Sequence, residues 1–201
     1  GNRHKAAKMA NKIANVDIRS TMGDLFPDLG PETPVISGVA HDRSESMITL
    51  RGVPDKPGNA AKVFTTLAAA DVNIDMIAQA SASTETADIS LTAPSSSLDA
   101  VCKVLQGARG ELQFTSMDVD PSVGKVAVVG VGMKTYSGLA ATFFTALSDH
   151  GINILMISTS EIRIAAIVPV KQLDEAVRAL HTAYGLDASK VEAVVYGGSG
   201  R

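Results

Sequence analysis

The residues best placed to do chemistry form a short polar loop, Asp55-Lys56-Pro57-Gly58-Asn59-Ala60, which precedes a run with helical spacing. The first amides of a helix have no partner inside it, so they point outward and attract an anion such as a carboxylate. Asp55, three residues before Gly58, can pair with an ammonium group. One loop thus offers both halves of a zwitterion-binding site. The same spacing also describes a plain strand-to-helix turn with Asp55 as a solvated cap, and spacing alone favours that reading.

Other candidates are weighed the same way. Asn73 and Asn153 each stand where a predicted helix gives way to a strand. Asn suits such turns because it tolerates unusual backbone angles and satisfies nearby backbone groups; contact with a ligand through the side-chain amide is the alternative. Ser158-Thr159-Ser160-Glu161 is a polar stretch after an apolar one, either a hairpin turn or a ligand contact. Gly130-Val131-Gly132 invites a nucleotide-loop reading, but the third glycine of that pattern would fall on Thr135, and no phosphate-loop spacing follows Lys134. Cys102 falls on the inward face of a predicted helix, and Met76 and Met156 on apolar strands, so all three read as core. His41, His150 and His181 are scattered, and spacing assembles no nucleophile, base and orienting group.

The elements that position these residues come in two copies. Residues 52–77 (GVPDKPGNAAKVFTTLAAADVNIDMI) align with 130–157 (GVGMKTYSGLAATFFTALSDHGINILMI) once two residues are inserted in the second loop. Gly58 falls on Gly138, Phe64 on Phe144, Leu67 on Leu147, and Asn73-Ile74 on Asn153-Ile154. Self-similarity at this spacing marks a duplicated module. In the first copy, Met47–Val53 predicts a strand and 54–58 a turn. Ala60–Ala70 predicts a helix, Val72–Ala80 and Ala87–Ala93 predict strands, Ser97–Arg109 a helix, and Leu112–Val119 a last strand. The second copy predicts strands at Lys125–Val131, Ile152–Ser158, Ile162–Val168 and Val191–Tyr196, with helices at Gly138–Asp149 and Val170–Tyr184. Each copy reads β-α-β-β-α-β, an α+β unit with both helices on one sheet face. Asp120-Pro121-Ser122 reads as the junction. Residues 1–34 fit neither copy: Ala6–Ala14 reads as a helix, Val16–Ser20 as a strand, and 21–34 as a connector. Val35–His41 reads as a further strand. The expected organisation is therefore a segment at 1–34, a first domain at 35–120 with an extra N-terminal strand, and a second at 121–201.

Composition narrows the function. The chain has 201 residues, 45% hydrophobic and 19% charged, with a net charge of −3. That is a globular composition, without the cationic face that nucleic-acid binding needs. Trp is absent and aromatics are 4%, which disfavours base-stacking platforms. The single cysteine forms no intrachain disulfide and no cysteine-clustered metal site. It fits a reducing, cytoplasmic setting. No apolar run approaches the ~20 residues of a membrane span, and the basic start lacks the apolar core of a secretion signal.

Two tandem β-α-β-β-α-β units, with Pro-x-Gly-like loops and Asn-Ile before the second strand, resemble paired ACT domains. SGVAHDRSE (37–45), DKPGNAAKVF (55–64), VNIDMI (72–77), GKVAVVGVGMK (124–134), ISTSEIRI (157–164) and VVYGGSGR (194–201) resemble aspartate kinase in the order expected, over about residues 35–201. They are similar to the actinobacterial type, whose small β subunit carries the regulatory half. KMANKIANVDIRS (8–20) resembles the last helix and strand of the kinase catalytic domain, to a weaker degree.

The resemblance implies a regulatory subunit or fragment, inactive alone, because the catalytic domain that binds ATP and aspartate lies outside this sequence. It implies threonine and/or lysine as effector, no cofactor or metal in this chain, a homodimer through ACT domains, and a catalytic α subunit as partner. Asp55, Gly58, Ala60, Ile74 and Gln79 sit where the family holds threonine. Lys56, Pro57 and Asn59 accompany them in the loop, Asn73 and Asp75 in the following strand. Asn153 and Ile154 join the set by the same likeness, and Ser158, Thr159, Ser160 and Glu161 match a stretch that lines an effector site or a subunit contact in relatives. The sequence departs from the family pattern at Ala80, where relatives usually have Asn, and at Tyr136-Ser137, where His-Pro is common. The competing reading is a stand-alone amino-acid-binding ACT module that regulates a different partner.

Overall fold

The structure is a computed structural model, and it describes residues 35–131, 137–186 and 194–195. The readings made for 6–34, for the 132–136 loop, and for 191–193 and 196–201 lie outside the described residues. Two compact units emerge: one from Asp42 to Lys125, the other from 35–41 together with residues from Val126 to Val195.

The first unit is built from the later part of β1 (Val35–Pro54), from α1 (Asn59–Ala69), β2 (Ile77–Ser81), β3 (Thr86–Pro94), α2 (Leu98–Gly107) and the one-turn α3 (Arg109–Leu112), and from the earlier part of β4 (Ser116–Val131). The strand order is β2-β3-β1-β4. β1 and β3 run antiparallel, with Glu45 opposite Pro94 and Leu50 opposite Ile89; β3 and β2 are antiparallel too, with Gln79 opposite Ile89. The expected α+β module of antiparallel strands and two helices is present. Its core explains the order. Ile48 and Leu50 of β1, and Ile89, Leu91 and Ala93 of β3, meet Val63 and Leu67 of α1 and Val101 and Leu105 of α2. Strand residues two apart share a face, and helix residues three or four apart share a stripe, so one sheet face is covered by both helices.

The inward positions on β1 are 48 and 50, then 53. The register against β3 shifts between Leu50 and Val53. One extra residue in a strand is a β-bulge, and it reverses which face every later residue occupies. Gly52 sits at the shift with φ 71°. A Cβ there would collide with Thr115 Oγ1, so the position requires glycine for both its backbone angle and its space.

The second unit continues from the latter part of β4 into α4 (Ser137–Asp149), β5 (Met156–Thr159), β6 (Arg163–Pro169), α5 (Leu173–Ala183) and β7 (Val194–Val195). β4, β6 and β5 are successive neighbours, and β7 pairs in parallel with β1 at Ala40 and His41. Ile36, Val126, Val128, Ile164, Ala166 and Val168 pack against Leu139, Phe143, Leu147, Leu173, Ala176 and Leu180. The duplication extends to single hydrogen bonds. Val72 N–H donates to Leu67 O at 3.1 Å, and its counterpart Ile152 to Leu147 O at 3.0 Å. The turn that each bond closes has a left-handed residue, Asp71 (φ 57°) in one and Gly151 (φ 65°) in the other.

Several expectations are corrected. Val35–His41 and Met47–Val53 are one strand, β1. Asp120-Pro121-Ser122, read as the junction, lies within the continuous strand β4 rather than in a loop. Pro121 has no N–H to contribute to a ladder, yet its carbonyl accepts the Ser46 hydroxyl at 2.7 Å. The strands expected from Val72 and Ile152 start only at Ile77 and Met156. Just before them, Asp75 N–H donates to Thr92 O at 2.9 Å and Leu155 N–H to Ile167 O at 2.7 Å.

Tyr184 is fully buried, and its hydroxyl donates to Leu139 O at 2.6 Å, tying the end of α5 to the start of α4. Tyr184→Phe should lower stability by about 1 kcal/mol, the net worth of one buried hydrogen bond, and urea denaturation will read the loss.

Candidate functional site

The bulge at Gly52 delivers the chain into the polar loop. Beyond it, Val53 and Pro54 pair again with Ala87 and Thr86, and Asp55 N–H donates to Glu85 O at 2.8 Å. The loop then closes on itself. Asn59 Nδ2 donates to Pro54 O at 2.7 Å, and Asn59 N–H to Lys56 O at 3.1 Å. Gly58, with φ 89°, occupies the N-cap of α1, and no side chain caps that helix. The first-turn amides of α1 are therefore directed outward without a side-chain acceptor. No atom lies within 4 Å of a Cβ built on Gly58, so the helix start is open.

A cleft of about 400 Å³ lies at this helix start. It brings together Asp55, Lys56, Pro57, Gly58, Asn59, Ala60 and, from β2, Gln79. Val53, Ala87 and Ile89 form its apolar floor. The cleft thus offers an exposed carboxylate, a helix N-terminus, a lysine, a primary amide and an apolar surface. That set can hold a small zwitterion: its carboxylate at the amides of α1, its ammonium at Asp55, and a short side chain over the floor.

The other candidates from the first repeat sit elsewhere. Asn73 is exposed in the connector after α1, and Ile74 packs into the core. Asp75 is engaged in an ion pair with Lys125. None of the three lines the cleft. In the second unit, Asn153 N–H donates to Gln172 Oε1 at 3.3 Å, and Ile154 packs against the core. Ser158 and Thr159 end β5, while Ser160 and Glu161 open the turn to β6, in which Ser160 N–H donates to Arg163 O at 2.8 Å. The hairpin-turn reading of 158–161 describes this geometry. Gly130 is part of β4, its N–H donating to Ile162 O at 2.8 Å, so it opens no phosphate loop.

Met76 and Met156 are buried, as read. Cys102 is half-buried on α2, and burial, reinforced by Asp99, raises its thiol pKa. A thiol held neutral in this way is a poor nucleophile. No cluster of His, Cys, Asp and Glu suited to a metal ion occurs among the described residues, and no helix among them is long and apolar enough to cross a membrane.

Sequence reasoning missed the cleft floor and the partners of Asp75. Ile89 was foreshadowed by the alternation in ADISLTA. Lys125 and Glu45 lie far from Asp75 along the chain, so no local pattern marks their contact.

Comparison with known proteins fits this geometry. The ACT domain family model matches residues 48–108 and 126–184. The class is therefore a pair of ACT domains. An aspartokinase of Mycolicibacterium smegmatis is 46% identical over 176 residues, which is 87% of this chain and 42% of that protein. An aspartokinase of Corynebacterium glutamicum is likewise 46% identical, again over 42% of its own length. The chain thus spans less than half of these relatives. Among solved structures, one of aspartokinase alpha and beta subunits superposes with a TM-score of 0.71 at 38% identity, covering 76% of this chain and 100% of the matched one. The regulatory subunit of aspartate kinase from Thermus flavus superposes with a TM-score of 0.69 at 34% identity, covering 74% and 98%. The chain belongs to the aspartokinase family and carries its regulatory ACT-domain region.

The two glycines around the site should respond differently to a methyl group. Gly58→Ala should cost only the strain of a left-handed backbone, about 1 kcal/mol. Gly52→Ala adds a collision with Thr115 and should cost about 2–3 kcal/mol. Denaturant midpoints of both variants, and of Gly52→Ala combined with Thr115→Ala, test this. Equal losses for the two single variants would contradict the clash, as would a double variant that recovers none of the difference.

Proposed function

We propose that this chain is the feedback-sensing part of an aspartate kinase, which binds threonine and/or lysine at its ACT domains and thereby inhibits ATP-dependent phosphorylation of L-aspartate in lysine, threonine and methionine biosynthesis. Its partner is the catalytic α subunit or catalytic region, in the cytoplasm, and it is inactive as a kinase alone. The observation that carries the reading is the cleft at α1, where the Asp55 carboxylate and an uncapped helix N-terminus face the same space. A free amino acid needs both charges matched at once, and one loop supplies them. The apolar floor of Val53, Ala87 and Ile89 and the amide of Gln79 fit threonine, with its methyl and hydroxyl, better than a long cationic side chain. An effector inhibits only by binding one arrangement of the enzyme more tightly than another. The cleft's size and its mix of apolar floor and a few polar groups are those of a small-metabolite site. Asn73, Ile74, Asp75, Asn153, Ile154 and Ser158–Glu161 enter the proposed effector set through family likeness alone.

Threonine at about 100 times its Kd should stabilise the chain by about 2.7 kcal/mol, raising the melting temperature. Asp55→Ala should abolish that rise while changing ligand-free stability by less than about 0.5 kcal/mol, as for an exposed turn residue. Gln79→Ala should weaken the rise. Equal shifts in wild type and Asp55→Ala would remove Asp55 from the site.

We further propose a homodimer. Ile77 on β2 and Ile157 on β5 are matched positions in the two repeats, and each is 53% exposed; paired exposed isoleucines on short outer strands suit a self-complementary interface. Sedimentation should show a dimer at tens of micromolar, and Ile77→Lys should dissociate it. A monomer with and without threonine would overturn this.

A further inference from the structure

Inside the first unit, two carboxylates compete for one ammonium. Glu45 on β1 is 4% exposed. Lys125 Nζ lies 3.4 Å from Glu45 Oε1 and also pairs with the Asp75 carboxylate. Glu45 Oε2 is buried without a hydrogen-bond partner. Asp42, also on β1, is buried and turns its Oδ1 toward Ser44 N–H at 2.7 Å. The charges facing Glu45 are therefore Lys125 from β4, Asp75 from the connector and Asp42 from its own strand, with Arg43 next to Asp42 along β1. With every group ionised, the negative charges outnumber Lys125, and a buried oxygen lacks a donor. A proton on Glu45 removes both defects at once.

The connector that carries Asp75 is also held by Ile74 against the core, by buried Met76 and by Thr92, whose N–H donates to Met76 O at 3.0 Å. Asp75 N–H donates to Thr92 O at 2.9 Å, and Met76 N–H to Thr92 Oγ1 at 3.0 Å. In the second repeat, the position matching Asp75 is Leu155, whose N–H makes the corresponding bond to Ile167 O at 2.7 Å. The module thus folds without any ion pair at this point, and the first repeat carries the charged cluster in addition.

We propose that Glu45, Lys125 and Asp75 form a proton-operated clamp on the connector 72–76. With a proton on Glu45, Lys125 is held by Asp75 alone and the connector is fixed. When Glu45 ionises, it draws the ammonium toward β1, and the grip on Asp75 weakens. The cluster is placed to act near neutrality: burial raises the Glu45 pKa from 4.5 to about 7, with Asp75 and Asp42 adding to the rise and Lys125 opposing it. A carboxyl whose pKa is raised on folding contributes stability that is full below its unfolded value and is lost as pH climbs through the folded one. Folding stability should therefore fall between about pH 4.5 and 7, and the connector should loosen as pH passes through about 7, where Glu45 of the folded chain ionises. The inference is independent of which ligand occupies the cleft.

Carbon-detected NMR titration of the Glu45 carboxyl in the full chain is expected to show a midpoint near 7, and a higher one in Lys125→Met. Amide exchange at Asp75 and Met76, corrected for intrinsic rates, should accelerate several-fold between pH 6 and 8 in the wild type. In Glu45→Gln, a permanent stand-in for the protonated acid, it should stay flat, which separates the effect from histidine titration. A Glu45 midpoint between 4 and 5 would overturn the proposal. So would exchange at those two amides that follows pH equally in wild type and Glu45→Gln. If Glu45→Gln does not fold, the wild-type midpoint and its shift in Lys125→Met decide the matter.

Discussion

Everything in this chain follows from burying one face of a small antiparallel sheet under two helices. Strand residues alternate, so only half of β3 can face α1 and α2, and that half is Ala87, Ile89, Leu91 and Ala93. The helices must then cross the same face, which places the strand-to-helix loops at the sheet margin, away from the core. Loops there are free to carry chemistry because no packing depends on their side chains. The position of Asp55 is a consequence of this layout, and so is its exposure.

The Gly52 bulge turns that general layout into a specific cleft. Without the extra residue, Val53 would face away from the helices and the following loop would meet β3 one residue out of step. With it, Val53 joins both the core and the cleft floor. Asp88 supports the bulge, accepting Gly52 N–H at 3.1 Å, and Arg51 binds Asp88 at 3.2 Å while also pairing with Asp118. These exposed ion pairs add little stability by themselves. Their value lies in fixing the local backbone from which the loop departs.

The sequence was legible where structure is periodic or repeated. The internal alignment announced two modules, and helical spacing placed Val63 and Leu67 on the buried stripe of α1. The loop Asp55–Ala60 was visible because Pro and Gly bracket it and a helix follows. Strand limits were less visible: Val72–Met76 has strand-like composition, yet β2 begins only at Ile77. The continuity of β4 through Pro121 was hidden for a similar reason, since proline usually marks a break. Contacts such as Glu45–Lys125 depend on residues brought together only by folding, so they left no trace in spacing. Asp75 is an example: family likeness places it with the effector set, and its ion pair with Lys125 is visible only in the fold.

The central claim is that a free amino acid is held at the start of α1 by matched charges. The most direct measurement is a titration of the isotope-labelled chain with threonine, followed through backbone amide resonances. The account predicts that perturbations concentrate at the amides from Asp55 to Ala61 and at Gln79, and saturate with a single affinity. Perturbations that leave those amides unmoved, or no change at millimolar threonine and lysine, would contradict it.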